Sequence, residues 1–108
     1  MSLQEIDVHE AKKKLESENP PFLLDVREPF EHEFANIEGQ VIPLGELPDR
    51  ISELETHKND EIIVYCRSGS RSAEACRLLE GNGFTNVKNL SGGILAWSDE
   101  IDPEIPQY

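Results

Sequence analysis

The chain is predicted to be a single α/β domain, with a mainly parallel sheet and helices on both faces. Apolar runs of strand length alternate with segments of helical period along its whole length. The two strongest runs, Phe22-Leu23-Leu24-Asp25-Val26 and Ile62-Ile63-Val64-Tyr65, are near-continuous, as expected of strands buried on both faces. The 108 residues fit one domain with a modest core and contain no internal repeat, low-complexity segment or linker.

In chain order, Asp7 caps a helix that runs to about Glu18, with Glu10 placed as a capping-box acid and Val8, Ala11 and Leu15 near helical spacing. Asn19-Pro20-Pro21 stops it. After the Phe22–Val26 strand, Glu28 to Phe34 reads as a short helix that tolerates Pro29 in its first turn. Val41-Ile42 is a short strand. Leu47, Ile51 and Leu54 fall on one side of a helix from about Leu47 to Leu54. The strand at Glu61–Tyr65 is followed by a polar loop, Cys66 to Arg71, and a helix from about Ser72 to Asn82 that stops at Gly83. Thr85–Leu90 is a further strand, Ser91-Gly92-Gly93 a turn, and Ile94–Trp97 the start of a last helix. Residues 100–108, with Pro103 and Pro106, have no clear period and are expected to form a loose tail on a core of about residues 3–99.

Ten basic residues face 22 acidic ones, for a formal net charge of −12. Nucleic acid is a poor partner for such a surface, because binding it relies on Lys and Arg neutralising phosphates. The acidic excess is read as a soluble, self-repelling surface, with docking to a basic partner as the functional alternative. No apolar run approaches the roughly 20 residues of a membrane helix, and no signal peptide precedes the domain, so the expectation is a cytoplasmic protein without membrane partners. Two cysteines, Cys66 and Cys76, are too few for a disulfide framework, and His9, His32 and His57 do not pair with them at zinc-like spacing. No metal and no cofactor is called for.

The informative stretch is Cys66-Arg67-Ser68-Gly69-Ser70-Arg71-Ser72, directly after the strongest strand. Ligands of open parallel sheets bind beyond the carboxyl ends of the strands, and the next helix turns its free N–H groups back toward this loop. Arg67 and Arg71 bracket the loop, Ser68, Ser70 and Ser72 add hydroxyl donors, and Gly69 lets the backbone turn its amides inward. A free thiol titrates near ~8.5, and helix N-termini with nearby Arg lower it. A thiolate at Cys66 can attack the outer sulfur of an activated donor without a general base, become a persulfide, and pass the sulfur on in a second, ping-pong step. The bland alternative for Cys66 is a small buried hydrophobe at a strand end. That reading is favoured for Cys76, which lies on the helix near Ser72 and Leu79.

These residues resemble the active-site loop of rhodanese domains. Leu24-Asp25-Val26-Arg27-Glu28 is similar to the family's upstream signature. Gly83-Phe84-Thr85-Asn86-Val87 and Leu90-Ser91-Gly92-Gly93-Ile94-Leu95-Ala96-Trp97 are similar to its closing segment. The resemblance covers nearly the whole chain in order. It implies a five-stranded, mostly parallel sheet and a catalytic persulfide, with Cys66 as nucleophile and Arg67, Ser68, Gly69, Ser70 and Arg71 as the cradle around its sulfur. Asp25 and Arg27, with Ser72, would support the loop. For Asp25 and Arg27 a structural ion pair is the equal alternative. Trp97 would be packing. The four residues between Cys66 and Arg71 match the short loop of sulfur transfer in this family, whereas related phosphatases and arsenate reductases use a loop one residue longer. One departure stands out. The Ala35–Leu47 stretch looks one residue shorter than the family's usual Gly-His-Ile segment, and resembles rhodanese domains fused behind ubiquitin-like-activating adenylyltransferases. That weakens the case for thiosulfate as the natural donor.

The expectation is therefore a sulfurtransferase that takes sulfur from a small anionic donor and gives it to a thiol or cyanide. The alternative is a sulfur-carrier module that a protein donor loads for cofactor or tRNA sulfuration. A non-catalytic binding module of the same fold is disfavoured by the intact Cys66.

Overall fold

The computed structural model describes residues 3–108, so Met1 and Ser2 of the expected 1–108 domain lie outside the described residues. Five strands form one sheet: β1 (Glu5–Ile6), β2 (Phe22–Asp25), β3 (Gln40–Val41), β4 (Ile62–Tyr65) and β5 (Val87–Leu90). Their order is β1-β5-β4-β2-β3, and all four pairings are parallel. The longest ladder registers Phe22 to Asp25 of β2 against Ile62 to Tyr65 of β4, so Asp25 and Tyr65 end side by side at the carboxyl edge.

The helices are α1 (Val8–Leu15), α2 (Pro29–Phe34), α3 (Leu47–Arg50), α4 (Ser70–Gly81) and α5 (Gly93–Glu100). Alternate residues of the sheet feed two core layers, one on each face. Leu24, Ile62, Val64 and Cys66 pack with Leu47, Leu54, Ala75, Cys76 and Leu79. Ile63 and Tyr65 pack on the opposite face with Val8, Ala11, Ile94 and Trp97. Residues of β4 are buried on both faces, which is why that run carries no polar alternation.

Asp7 caps α1 as expected, accepting from the Glu10 amide at 2.8 Å. The helix stops at Leu15, three residues early, because the Ser17 hydroxyl and amide both turn back onto the Lys14 carbonyl. The expected helix over Leu47–Leu54 is α3 flanked by 3₁₀ turns, Leu44–Glu46 and Ile51–His57. At Arg50 the backbone leaves the α basin (φ −115°, ψ 8°), yet Leu47 and Leu54 both stay buried. Helix α4 begins at Ser70, two residues before expectation, and β5 begins at Val87 because the Thr85 amide bonds the Lys58 carbonyl instead of a neighbouring strand. The two-residue β1 escaped the sequence reading because it is too short to show a period.

The expectation of a loose tail at residues 100–108 is wrong. The Ser98 hydroxyl donates to the Ile105 carbonyl at 2.7 Å, and Ile101, Ile105 and Tyr108 pack on the β4–α5 core layer. Their spacing of four and three residues is an apolar stripe that the two prolines obscured.

The carboxyl edge is organised by a buried ion pair. Arg27, fully buried, grips Asp25 with Nε (2.9 Å) and Nη2 (2.7 Å), and Nη2 also bonds the Ala35 carbonyl at 2.7 Å. Asp25 takes further bonds from the Arg27 amide at 3.0 Å and pairs with His32 Nδ1 at 3.0 Å. Burial alone would raise the Asp25 carboxyl, but Arg27 and His32 hold it below the ordinary carboxylate value. No buried side-chain nitrogen or oxygen among the described residues lacks a partner. Removing one member of a pair this enclosed strands the other charge. Arg27→Met is therefore expected to destabilise the fold by about 3–5 kcal/mol in urea unfolding. A loss below ~1 kcal/mol would mean that Asp25 is not dependent on it.

Candidate active site

Cys66 follows β4, and its loop is shaped from three directions. Gly69 precedes α4 with φ +114°, a backbone setting that side-chain-bearing residues rarely adopt, and this brings the chain round above the sulfur. The Gly69 amide donates to Cys66 Sγ at 3.1 Å and the Ser72 amide at 3.4 Å, while the Ser72 hydroxyl lies 3.4 Å from the same sulfur. Behind the loop, α5 presents its first amides to the two carbonyls that open it: Ile94 to Cys66 at 3.0 Å and Leu95 to Arg67 at 3.1 Å. Gly93 is forced by that approach, since a Cβ there would lie 2.4 Å from the Arg67 carbonyl oxygen.

Burial leaves Cys66 only 1% exposed and would by itself push its thiol up. The Ser72 hydroxyl and the amides of Ser72, Gly69 and Ser68 outweigh it and hold the thiol below its ordinary value. Cys76 is the contrast: buried among aliphatic groups with no donors, and with Glu80 and Glu5 nearby, it is pushed up to about 12. It is a packed core thiol, as its helix position suggested.

The two arginines are disposed differently from expectation. Arg71 is held bidentate by Glu31, Nη1 to Oε1 at 2.8 Å and Nη2 to Oε2 at 2.9 Å. Arg67 bonds the Tyr108 carbonyl oxygen and lies over the Tyr108 ring at 5.1 Å. The Cys66 sulfur is thus met first by amides and a hydroxyl, with the guanidinium groups at the rim. Ser68 and Ser70 are exposed, and Ser70 opens α4. Asp25 and Arg27 take the structural alternative. Neither bonds the Cys66 loop, and they act on it at one remove: Arg27 reaches the Glu31 carbonyl at 3.4 Å and the Tyr108 hydroxyl at 2.9 Å.

Three contributors went unnoticed in the sequence. Glu31 is one, held down to about 2 by Arg71 in spite of its burial, with help from the Tyr108 hydroxyl at 2.6 Å. Tyr108 is the second. The third is Asn89, whose Oδ1 is a second acceptor within reach of the one Ser72 hydroxyl proton that also faces Cys66 Sγ, and whose Nδ2 donates to the Gly69 carbonyl at 3.1 Å and to Glu5 at 2.9 Å. An Asn directly before Leu90 in a strand whose ends are apolar was a readable signal, whereas the partners of Glu31 and Tyr108 lie tens of residues away.

Residues 7–100 match the family model for the rhodanese-like domain. The chain belongs to the rhodanese-like domain family. A putative sulfurtransferase of Bacillus subtilis, YtwF, is 36% identical over 105 residues, covering 96% of this chain and 99% of its own. A putative sulfur carrier protein of the same organism, YrkF, is 41% identical over 102 residues, which are 94% of this chain and 54% of that protein. This rhodanese-like domain therefore spans about half of YrkF, and 23% of a similar maize adenylyltransferase and sulfurtransferase, MOCS3-2. The crystal structure of a rhodanese-like domain protein from Staphylococcus aureus superposes with a TM-score of 0.82 at 30% identity, covering 98% of this chain and 99% of that one. The similarity in fold confirms the five-stranded α/β class.

Ser72→Ala removes a hydroxyl that helps hold the Cys66 thiol below its ordinary value, and a hydrogen bond to a charged group is worth roughly 1.5–3 kcal/mol. The midpoint of the pH profile of Cys66 alkylation should therefore rise by about one pH unit or more, and an unmoved profile would remove Ser72 from that role. A second expectation concerns Glu31, whose carboxyl titrates near 2 in the fold against an ordinary value of 4.5. A depressed carboxylate stabilises the fold above its unfolded value and loses that contribution as pH falls toward the folded one. The gap in urea midpoint between wild type and Glu31→Gln should accordingly be largest at pH 6 and shrink by pH 3.

Proposed function

We propose that this rhodanese-like domain is a sulfurtransferase that carries sulfane sulfur as a persulfide on Cys66. The observation that carries the reading is the ring of donors around one sulfur: the amides of Gly69 and Ser72 and the Ser72 hydroxyl converge on Cys66 Sγ at the end of the central strand. Such a ring favours an anion and needs no metal or cofactor.

In the first half-reaction the Cys66 thiolate attacks the outer sulfur of the donor. A sulfur–sulfur bond forms to Cys66, the donor's own bond to that sulfur breaks, and the electron pair leaves with the donor remnant: sulfite from thiosulfate, a thiolate from a persulfide. In the second, a thiophilic acceptor such as cyanide or a thiol attacks the terminal sulfur and Cys66 departs as the thiolate. Arg67, Ser68, Gly69, Ser70 and Arg71 form the rim past which a donor passes, with the buried Ser72, Asp25 and Arg27 in support. Reducing conditions in the cytoplasm suit the two free thiols, and we place the protein there.

A second reading keeps the same persulfide and changes the donor: a carrier module loaded by a protein for cofactor or tRNA sulfuration. The similarity to a putative sulfur carrier protein and the net charge of −12, suited to docking a basic surface, favour it.

Intact-mass analysis after incubation with a sulfane donor tests the reading. Wild type is expected to gain one cyanide-labile sulfur, and Cys66→Ser none. Equal gain in the mutant would transfer the chemistry to Cys76 or to nonspecific sites and overturn the assignment.

A further inference from the structure

Sulfur transfer in general explains why Cys66 sits among amides, but not why the charge that closes the loop is cancelled. Arg71 is neutralised by Glu31 through two bonds of 2.8 and 2.9 Å. Glu31 is only 7% exposed and is pinned further by the Tyr108 hydroxyl, so its carboxylate cannot swing away into solvent when a ligand arrives. The surface beside it is carbon. Phe30 and Phe34, one helical turn apart on α2, are 70% and 54% exposed, and with Tyr108 they line a shallow cleft of about 310 Å³ that Glu31 also borders.

Building on the persulfide reading above, we propose that Glu31 is a specificity-determining residue that turns the Cys66 site away from dianionic inorganic donors and toward organic sulfane donors with a single negative charge, alkyl persulfides above all. Thiosulfate brings two negative charges to a site that already holds a thiolate, and releases a dianion: Cys66–S⁻ and S₂O₃²⁻ give Cys66–S–S⁻ and SO₃²⁻. Arg71 and Glu31 together contribute no net charge to meet it, and Arg67 is turned to the Tyr108 carbonyl oxygen. An alkyl persulfide brings one charge and releases one: Cys66–S⁻ and R–S–S⁻ give Cys66–S–S⁻ and R–S⁻. Its carbon stem also has Phe30, Phe34 and Tyr108 to lie against, which an inorganic anion cannot use.

The test compares the rates at which Cys66 gains sulfur, followed by intact mass, from thiosulfate and from methanethiosulfonate. Both place a sulfane sulfur on an oxidised sulfur, but methanethiosulfonate carries one charge fewer and leaves as methanesulfinate. Wild type is expected to prefer methanethiosulfonate. Glu31→Gln, which keeps the shape and removes the charge, should reduce that preference roughly tenfold by speeding thiosulfate, as expected for one partly screened charge. Glu31→Asp, which keeps the charge, should retain the preference. Should Glu31→Gln fail to fold, rising salt must shrink the wild-type preference. No preference in wild type, an unchanged ratio in a folded Glu31→Gln, or a salt-independent ratio would each overturn the proposal. The persulfide of N-acetylcysteine and a cysteine persulfide on a folded protein form the last arms. Loading faster than thiosulfate by either supports the proposal and identifies the source, and slower loading by both overturns it. Failure of every donor to load Cys66 would instead sink the persulfide reading itself.

Discussion

One guanidinium holds the carboxyl edge of the sheet together. Arg27 is fully enclosed, so each of its N–H groups must find an acceptor, and those acceptors come from three stretches of chain: Asp25 at the end of β2, the carbonyls of Glu31 and Ala35 on and after α2, and the Tyr108 hydroxyl at the far end of the sequence. Satisfying that one side chain fixes the direction in which α2 leaves the sheet. It also fixes where Glu31 stands, and through Glu31 the position of Arg71 at the mouth of the Cys66 loop. An ion pair buried this deeply is a weak source of net stability but a strong constraint on geometry. Here the constraint is spent on the site's rim.

Charge around Cys66 is arranged in two zones. The inner zone consists of dipoles: three amides and a hydroxyl, directed at a buried sulfur. These groups cannot be neutralised by a passing ion, and they stabilise an anion without adding net charge. The outer zone consists of full charges, Arg67 and Arg71, each with a protein partner. Cys76 shows what the same fold does to a thiol without the inner zone, since burial, with Glu80 and Glu5 nearby, pushes it up to about 12.

How much of this was legible depended on sequence separation. The loop from Cys66 to Ser72 is local, and its chemistry could be read from residue types alone: a strand, a cysteine, a glycine and a helix start. The buried strands were equally clear because Ile62 to Tyr65 lack any polar alternation. Asp25 and Arg27 came from resemblance, and only the fold decided that they serve as a structural pair. Glu31 looked like one acid among 22, and nothing in its neighbourhood indicated that Arg71, forty residues on, would claim it. Tyr108 was hidden for a different reason. Two prolines made its segment look aperiodic, although Ile101, Ile105 and Tyr108 share one face. The break at Arg50 was invisible because the buried positions Leu47 and Leu54 suit a continuous helix as well as an interrupted one.

The contact between Gly93 and the start of the loop carries a consequence for the peptide planes themselves. In a trans peptide the C=O and the following N–H point in opposite directions. The Arg67 carbonyl is drawn outward to the Leu95 amide, so the Ser68 N–H of the same plane must face the other way, toward the sulfur. The polarity of the inner ring is therefore set from outside, by a helix that contributes no side chain to it. A methyl group at position 93 would wedge against that carbonyl and tip the plane. The cradle would then lose part of its positive lining while every residue from Cys66 to Ser72 remained intact.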